Sequence, residues 1–218
     1  MAHKLAIIFL GPPGSGKGTH ARYLTEDYSI PVVGMGDLLR EESKKDTMAS
    51  KEMARFLADG EMIPWALTRA ILEKKLRQLT GAPALILDGV PRTIVQANDL
   101  DAMLRAQNFD TVKVVHLRVA SSVVCGRLVR RLVCEDCNAP FSQETSSKPV
   151  CPFCASTAYT VRSDDNAESI KRRIAVHQKH MEPVLSHYQK KDLVLDVDAS
   201  QAVGTIQEAI RRYIKTVL

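Results

Sequence analysis

Leu5-Ala6-Ile7-Ile8-Phe9-Leu10-Gly11-Pro12-Pro13-Gly14-Ser15-Gly16-Lys17-Gly18-Thr19 is the stretch that decides the fold of this chain. Its first six residues are an unbroken apolar run that stops at glycine and proline. A strand buried on both faces of a parallel sheet has that pattern. The remainder follows the phosphate-loop pattern G-x-x-x-x-G-K, with a hydroxyl at Thr19. Glycines let the backbone turn tightly and aim several N–H groups at one point, forming an anion nest. A helix starting at Lys17 adds its positive N-terminal end. Lys17 can reach a transferring phosphate, and the Thr19 hydroxyl can lie near a phosphate or a metal ion. A chance glycine-rich turn is the alternative; the strand before the loop and the helix after it argue against that.

Working outward, Ala84-Leu85-Ile86-Leu87, Val112 to Leu117 and Leu193-Val194-Leu195 carry the same buried-strand signature, with Val32-Val33 a shorter candidate. Helical periodicity separates them at Lys17 to Tyr28, Leu67 to Leu79 and Ile94 to Ala106. Near the C-terminus, Val203, Ile206, Ile210 and Ile214 share one helix face. The alternation predicts an α/β fold, a P-loop three-layer parallel sheet with helices on both faces. Ligands in such folds bind beyond the carboxyl ends of the strands. The 218 residues suit one core domain with a small insert.

The insert begins at Cys134 and runs to about Tyr159, where Ser, Thr, Pro and Cys replace periodic apolar residues. Such a segment buries little apolar surface and needs a staple. Cys134-Glu135-Asp136-Cys137 and Cys151-Pro152-Phe153-Cys154 are two CxxC knuckles with thirteen residues between them. Two such pairs complete a tetrahedral four-thiolate zinc site, which leaves no open position and is therefore structural. The gap is slightly shorter than the usual range for paired knuckles. Disulfides or free thiols are the alternatives. Cys125 lies outside the pattern and reads as a small core residue. The six histidines show no ligand pairing; His177 and His180 share a helix face, read as wet surface.

Hydrophobic residues make up 45% and charged residues 25%, and the net charge is +5. That excess suits an anionic partner, without choosing between nucleic acid and a phosphorylated small molecule. The insert has few aromatics and no sustained basic run, which argues against nucleic acid. No stretch approaches the roughly 20 apolar residues of a membrane span. Met1 to Leu10 is too short to act as a signal peptide, so a cytoplasmic location is expected.

Further blocks follow the loop in a fixed order. They are Gly36-Asp37-Leu38-Leu39-Arg40, then Leu87-Asp88-Gly89-Val90-Pro91-Arg92-Thr93 with Gln96, then Arg162-Ser163-Asp164-Asp165-Asn166 with Arg173. Together with the loop they resemble the adenylate kinase family of nucleoside monophosphate kinases, in the long form whose lid carries zinc. The resemblance covers essentially the whole chain. It implies reversible phosphoryl transfer from Mg-ATP to AMP, giving two ADP, by a monomer with no nucleic-acid or membrane partner. Residues 1–130 and 163–218 would form the kinase core, about 34–64 the acceptor-binding segment, and 131–162 the zinc-binding lid.

Carried over by position, the resemblance places Gly14, Ser15, Gly16, Lys17, Gly18, Thr19, Arg127 and Arg131 on ATP. It places Met35, Arg40, Ile63, Gly89, Arg92, Gln96, Arg162 and Arg173 on AMP. Lys17, Arg92, Arg131, Arg162, Arg173, Asp164 and Asp165 would serve the transfer itself, the two aspartates by helping the lid close. Asp88 would contact Mg2+ through a bound water. Phosphoryl transfer calls for charge neutralisation and in-line positioning more than covalent catalysis. Arginine supplies a planar, permanently charged fork for phosphate oxygens, and a mobile lid keeps water from accepting the group.

Four positions depart from the family's pattern: Met35, Val90, Trp65 and Ala199, all beside the expected bases. They keep open a UMP/CMP kinase or a GTP:AMP kinase using the same machinery. Outside enzymes, a catalytically inactive zinc-containing nucleotide- or RNA-binding protein is the alternative. The resemblance favours AMP at Gln96, because related pyrimidine-monophosphate kinases tend to carry Asn there; an amide at this point can exchange two hydrogen bonds with an adenine edge.

Overall fold

The computed structural model describes residues 4–142 and 148–217. Residues 1–3, which begin the Met1 to Leu10 run, residues 143–147 of the 131–162 segment, and residue 218 lie outside the described residues. The first half of the chain runs β1 (Leu5–Leu10), α1 (Lys17–Tyr28), β2 (Val32–Gly34), α2 (Met35–Glu42), α3 (Met48–Asp59), α4 (Trp65–Gln78), β3 (Ala84–Asp88) and α5 (Ile94–Ala106). It continues through β4 (Thr111–Arg118), α6 (Ser121–Val129), β5 (Arg131–Cys134), β6 (Pro140–Ser142), β7 (Tyr159–Thr160), α7 (Ala167–Gln189), β8 (Val194–Asp198) and α8 (Val203–Ile214). No described helix is long and apolar enough to cross a membrane.

Five strands form a parallel sheet in the order β2-β3-β1-β4-β8. All six residues of β1 are buried, because helices cover both faces. Strand period two sorts them. Ala6, Ile8 and Leu10 face a core shared with α2, α3, α4, α5 and part of α7. Leu5, Ile7 and Phe9 face a core shared with α1 and α8. In α8, Ile206, Ile210 and Ile214 are buried as the periodicity predicts, while Val203 at the helix start is exposed.

The chain leaves β1 toward β2 on one side and later returns to β4 on the other, so the end of β1 is a topological switch point. The loop after it opens α1 at Gly16, whose φ of 97° and missing side chain leave the first-turn N–H groups without a side-chain cap. Helices α2, α4, α6 and α8 also start without a side-chain cap, and the other three carry one. Thr47, Thr93 and Asn166 cap α3, α5 and α7 by accepting from Ser50 N, Gln96 N and Ser169 N.

The cysteine-bearing insert is a separate three-stranded antiparallel sheet in the order β6-β5-β7. Its packed interior consists of Cys134, Ala139 and Cys151, backed by Cys137, Phe141 and Phe153. The expectation of a segment short of apolar residues is met, and half of its core is sulfur.

Candidate active site

A cleft of about 1690 Å³ opens over the carboxyl ends of the parallel strands. That exceeds the roughly 300–1,000 Å³ of a pocket for one drug-sized ligand and suits two nucleotides side by side. The loop after β1 forms its floor. Gly11, Gly14 and Gly16 take φ values of 141°, 80° and 97°. A Cβ on Gly11 would sit 2.6 Å from the Leu117 carbonyl oxygen, so glycine is required there. The Lys17 ammonium lies over the loop, donating to the Gly11 and Pro12 carbonyls at 2.9 Å each. Burial lowers it to about 8; Asp88 opposes the shift, and Arg92, Arg173 and Arg131 add to it. The Ser15 hydroxyl is buried with no partner among the described residues.

Asp88 ends β3 beside this floor, and its carboxylate would lie 3.3 Å from a Cβ on Gly18. It makes no ion pair among the described residues, and a hard carboxylate oxygen beside a phosphate nest fits Mg2+ as a partner.

The cations come from separate elements. Arg40 sits on α2, Arg92 in the loop after β3, Arg127 on α6, Arg131 on β5, Arg162 after β7 and Arg173 on α7; all line the cleft. Burial lowers Arg92 and Arg173, and lowers Arg162 to about 10. Neighbouring guanidinium groups push in the same direction, Arg173 acting on Arg92 and Arg40 on Arg162. A crowd of mutually destabilised cations is a site built for a polyanion.

Aspartates hold the guanidinium groups in place. Asp165, with a side chain only 1% exposed, receives both forks of Arg131, one at 2.7 Å, and Arg173 at 3.1 Å. Asp164 pairs with Arg173 at 3.0 Å. Asp165 itself lies behind the cleft wall, the one predicted transfer residue that does not line it. Asp37 bridges Arg40 and Arg162, the latter at 3.3 Å, a role the sequence motif did not reveal. Arg92 Nε donates to the Gly89 carbonyl at 2.9 Å.

Met35, Ile63, Gly89 and Gln96 gather at the α2–β3 side of the cleft. Gln96 differs from expectation. Its Oε1 accepts the Arg92 backbone N–H at 2.7 Å, so one of the two groups expected to meet a base is already engaged. The Nε2 faces only the Met62 sulfur at 4.0 Å, a weak acceptor. The Nε2 is thus the group of this amide left for a base. The Trp65 indole donates to Asp99 at 2.7 Å, which ties it to α5. Arg127 donates to the Ala199 carbonyl at 2.9 Å, joining α6 to the turn after β8.

His177 corrects the expectation of a wet helix face. It lines the cleft, and its Nε2 is buried without a partner among the described residues. Burial, then the Lys17, His116 and Arg92 charges, lowers it to about 4, so it is neutral near pH 7. Arg130 is an exposed helix-end charge, donating to the Gly126 carbonyl at 3.1 Å.

The four predicted thiols converge: the sulfurs of Cys134, Cys137, Cys151 and Cys154 all lie within 4.8 Å of one another. The Cys134–Cys154 and Cys137–Cys151 separations are 3.5 and 3.6 Å. Those are far from the roughly 2.05 Å of a disulfide and close to the edge, about 3.8 Å, of a tetrahedron with Zn–S bonds of about 2.3 Å. The Cys137 backbone N–H lowers the Cys134 thiol to about 6, against burial. Despite the Ser156 N–H, the neighbouring sulfurs push the Cys154 thiol up to about 12. Four thiolates share this space only around a cation. Cys125 is half-buried against the α6–α7 cluster, the core role expected.

The family model described as adenylate kinase matches residues 9–193. Among curated proteins, an adenylate kinase of Archaeoglobus fulgidus is 33% identical over 214 residues, covering 97% of this chain and 98% of its own length. One from Clostridioides difficile is 32% identical over 209 residues, covering 94% and 96%. One from Rhizobium rhizogenes is 34% identical over 197 residues, covering 89% and 91%.

Proposed function

This chain belongs to the adenylate kinase family and is a nucleoside monophosphate kinase; we propose that its donor is Mg-ATP and its acceptor AMP, giving two ADP. The observation that carries this is the crowd of buried cations over the phosphate loop, in a cleft of about 1690 Å³ with room for two nucleotides. Lys17 exchanges its two loop carbonyls for donor phosphate oxygens, and the uncapped N–H groups at the start of α1 receive the same phosphates. Asp88 and Thr19 would hold Mg2+, which when bound would supply charge neutralisation to the donor phosphates. Arg40 and Arg92 hold the acceptor phosphate. Arg131, Arg162 and Arg173, registered by Asp165, Asp164 and Asp37, surround the transferring group. No side chain is needed as a nucleophile, because the acceptor phosphate attacks directly.

AMP is supported by the fixed Gln96 amide. With its Oε1 engaged, its N–H finds an acceptor in adenine N1, whereas the N3–H of uracil would meet it donor to donor. Residues 131–162 form the lid and about 34–64 the acceptor arm. The four cysteines hold Zn2+ as a staple of that lid. We place the protein in the cytoplasm as a monomer.

The test is transfer from Mg-ATP and Mg-GTP to AMP, UMP, CMP and GMP, with Arg92→Ala as control. AMP preference lost on substitution supports the assignment. A clear preference for UMP or CMP moves the protein to a sister activity, and preference for GTP alters the donor. Binding of nucleotide or RNA without any transfer would leave a binding module.

A further inference from the structure

Arg22 lies one turn beyond Gly18 on α1, so both residues share the face that borders the phosphate loop. Its Nη1 donates to the backbone carbonyl of Cys137 at 2.8 Å. The same guanidinium stands 5.2 Å from the centre of the Phe153 ring. The adjacent Tyr23 ring packs on Phe153 from another side, at 5.3 Å and 50°. On the same side of α1, a Cβ on Gly18 would touch the Pro140 ring at 3.6 Å. Cys137 belongs to the first cysteine knuckle and Phe153 to the second. One arginine therefore reads both knuckles at once, and it can do so only while the thiolates hold them together.

Nothing in the transfer chemistry uses Arg22 or Tyr23. The other ionic partner of Arg22 is Glu26 at 3.5 Å, a half-exposed pair one turn along the same helix. Such a pair adds little and does not require the side chain to reach the small sheet. The hydrogen bond to a zinc-ligand carbonyl and the aromatic face do require it.

Resting on the kinase assignment above, we propose that Arg22, with Tyr23, is a positioning residue for phosphoryl transfer. It docks the assembled cysteine knuckles onto α1 and so holds the small sheet over the phosphate loop. The four-cysteine site then has a second task besides stapling its own strands: it builds the surface that α1 grips. Donor binding and the integrity of that site are coupled through this contact, which touches neither α2 nor α5.

The experiment uses the full-length, zinc-loaded protein and Arg22→Ala. A lost hydrogen bond and a lost cation–π contact together predict about tenfold weaker binding of a magnesium-bound, non-hydrolysable ATP analogue. AMP affinity and the melting temperature of the core should stay as in the wild type. Phe153→Leu, which keeps bulk but removes the ring face, should weaken the analogue in the same sense. The two substitutions combined should cost less than their product. Zinc transfer from the nucleotide-free protein to a chromophoric chelator should be several-fold faster in Arg22→Ala. That last readout involves no nucleotide, so it separates a failed contact from a wrong assignment of substrate. Wild-type analogue affinity with wild-type zinc release in Arg22→Ala would overturn the proposal. So would equal losses of analogue and AMP affinity, which would mark a general loosening of the fold.

Discussion

Asp165→Asn tests how the buried carboxylates register the cationic cluster. The carboxylate is 1% exposed and accepts two bonds from Arg131 and one from Arg173. Asparagine keeps the shape and one acceptor oxygen but removes the charge. Breaking a buried pair by removing one partner costs about 3–5 kcal/mol. Here Arg131 and Arg173 retain 14% and 17% exposure, and Asp164 still pairs with Arg173 at 3.0 Å. The lower end, about 3 kcal/mol, is therefore the expected loss. For a chain of this length that amounts to roughly 6–12 °C in melting temperature. Two guanidinium groups would also lose their registration, and a displacement of about 1 Å costs roughly a hundredfold in turnover. Calorimetric melting paired with steady-state kinetics at saturating nucleotides gives both numbers. A melting temperature within about 2 °C of wild type, with turnover within about twofold, would refute the claim that this carboxylate positions the arginines.

Two further outcomes follow from the same geometry. Removal of zinc should give the small sheet its own early unfolding transition, because half of its packed interior is cysteine, while the core transition moves by a few degrees; a single unchanged transition after verified metal loss would count against a structural ion. Since Lys17 titrates near 8 in the nucleotide-free protein, kcat/KM for ATP should decline as pH rises through about 8, and kcat should decline only at higher pH because bound phosphate restores the proton; a flat kcat/KM profile from pH 7 to 9 would be incompatible with that lysine as the donor-phosphate contact.

The parallel sheet was legible because strands buried on both faces leave nothing but apolar residues in the run, as in β1 and β3. Helices α1 and α5 were bounded correctly from Lys17 to Tyr28 and from Ile94 to Ala106, since each has three turns of pattern and a loop or cap to mark its start. Helices α2 and α3 left no such trace; α2 is eight residues long, and its buried positions, Met35 and Leu39, amount to a single turn's spacing. Cysteine spacing disclosed the four-thiol cluster because the pairing within each knuckle is local. Partnerships across the fold were not legible. Arg131 meets Asp165 at a separation of 34 positions, and Arg162 meets Asp37 at 125. His177 was misread for the same reason: whether a helix face is wet depends on what the fold places opposite, here Lys17 and Arg92. The carbonyl of Gln96 is engaged by a backbone N–H four positions earlier, a contact that only the folded loop creates.

Helix α7, at 23 residues, extends about 34 Å and is fastened near both ends. Near its start, the Ser169 hydroxyl and Arg172 guanidinium donate to the Ala58 and Asp59 carbonyls at the close of α3. Near its finish, His187, Tyr188 and Lys191 converge on Asp101 of α5. Arg173 projects from the span between. A rod clamped in this way acts as a strut, with Pro183, which gives no N–H to the helical ladder, lying between the clamps. The strut sets how far the close of α3 stands from α5, and with it the place from which Arg173 reaches into the cleft.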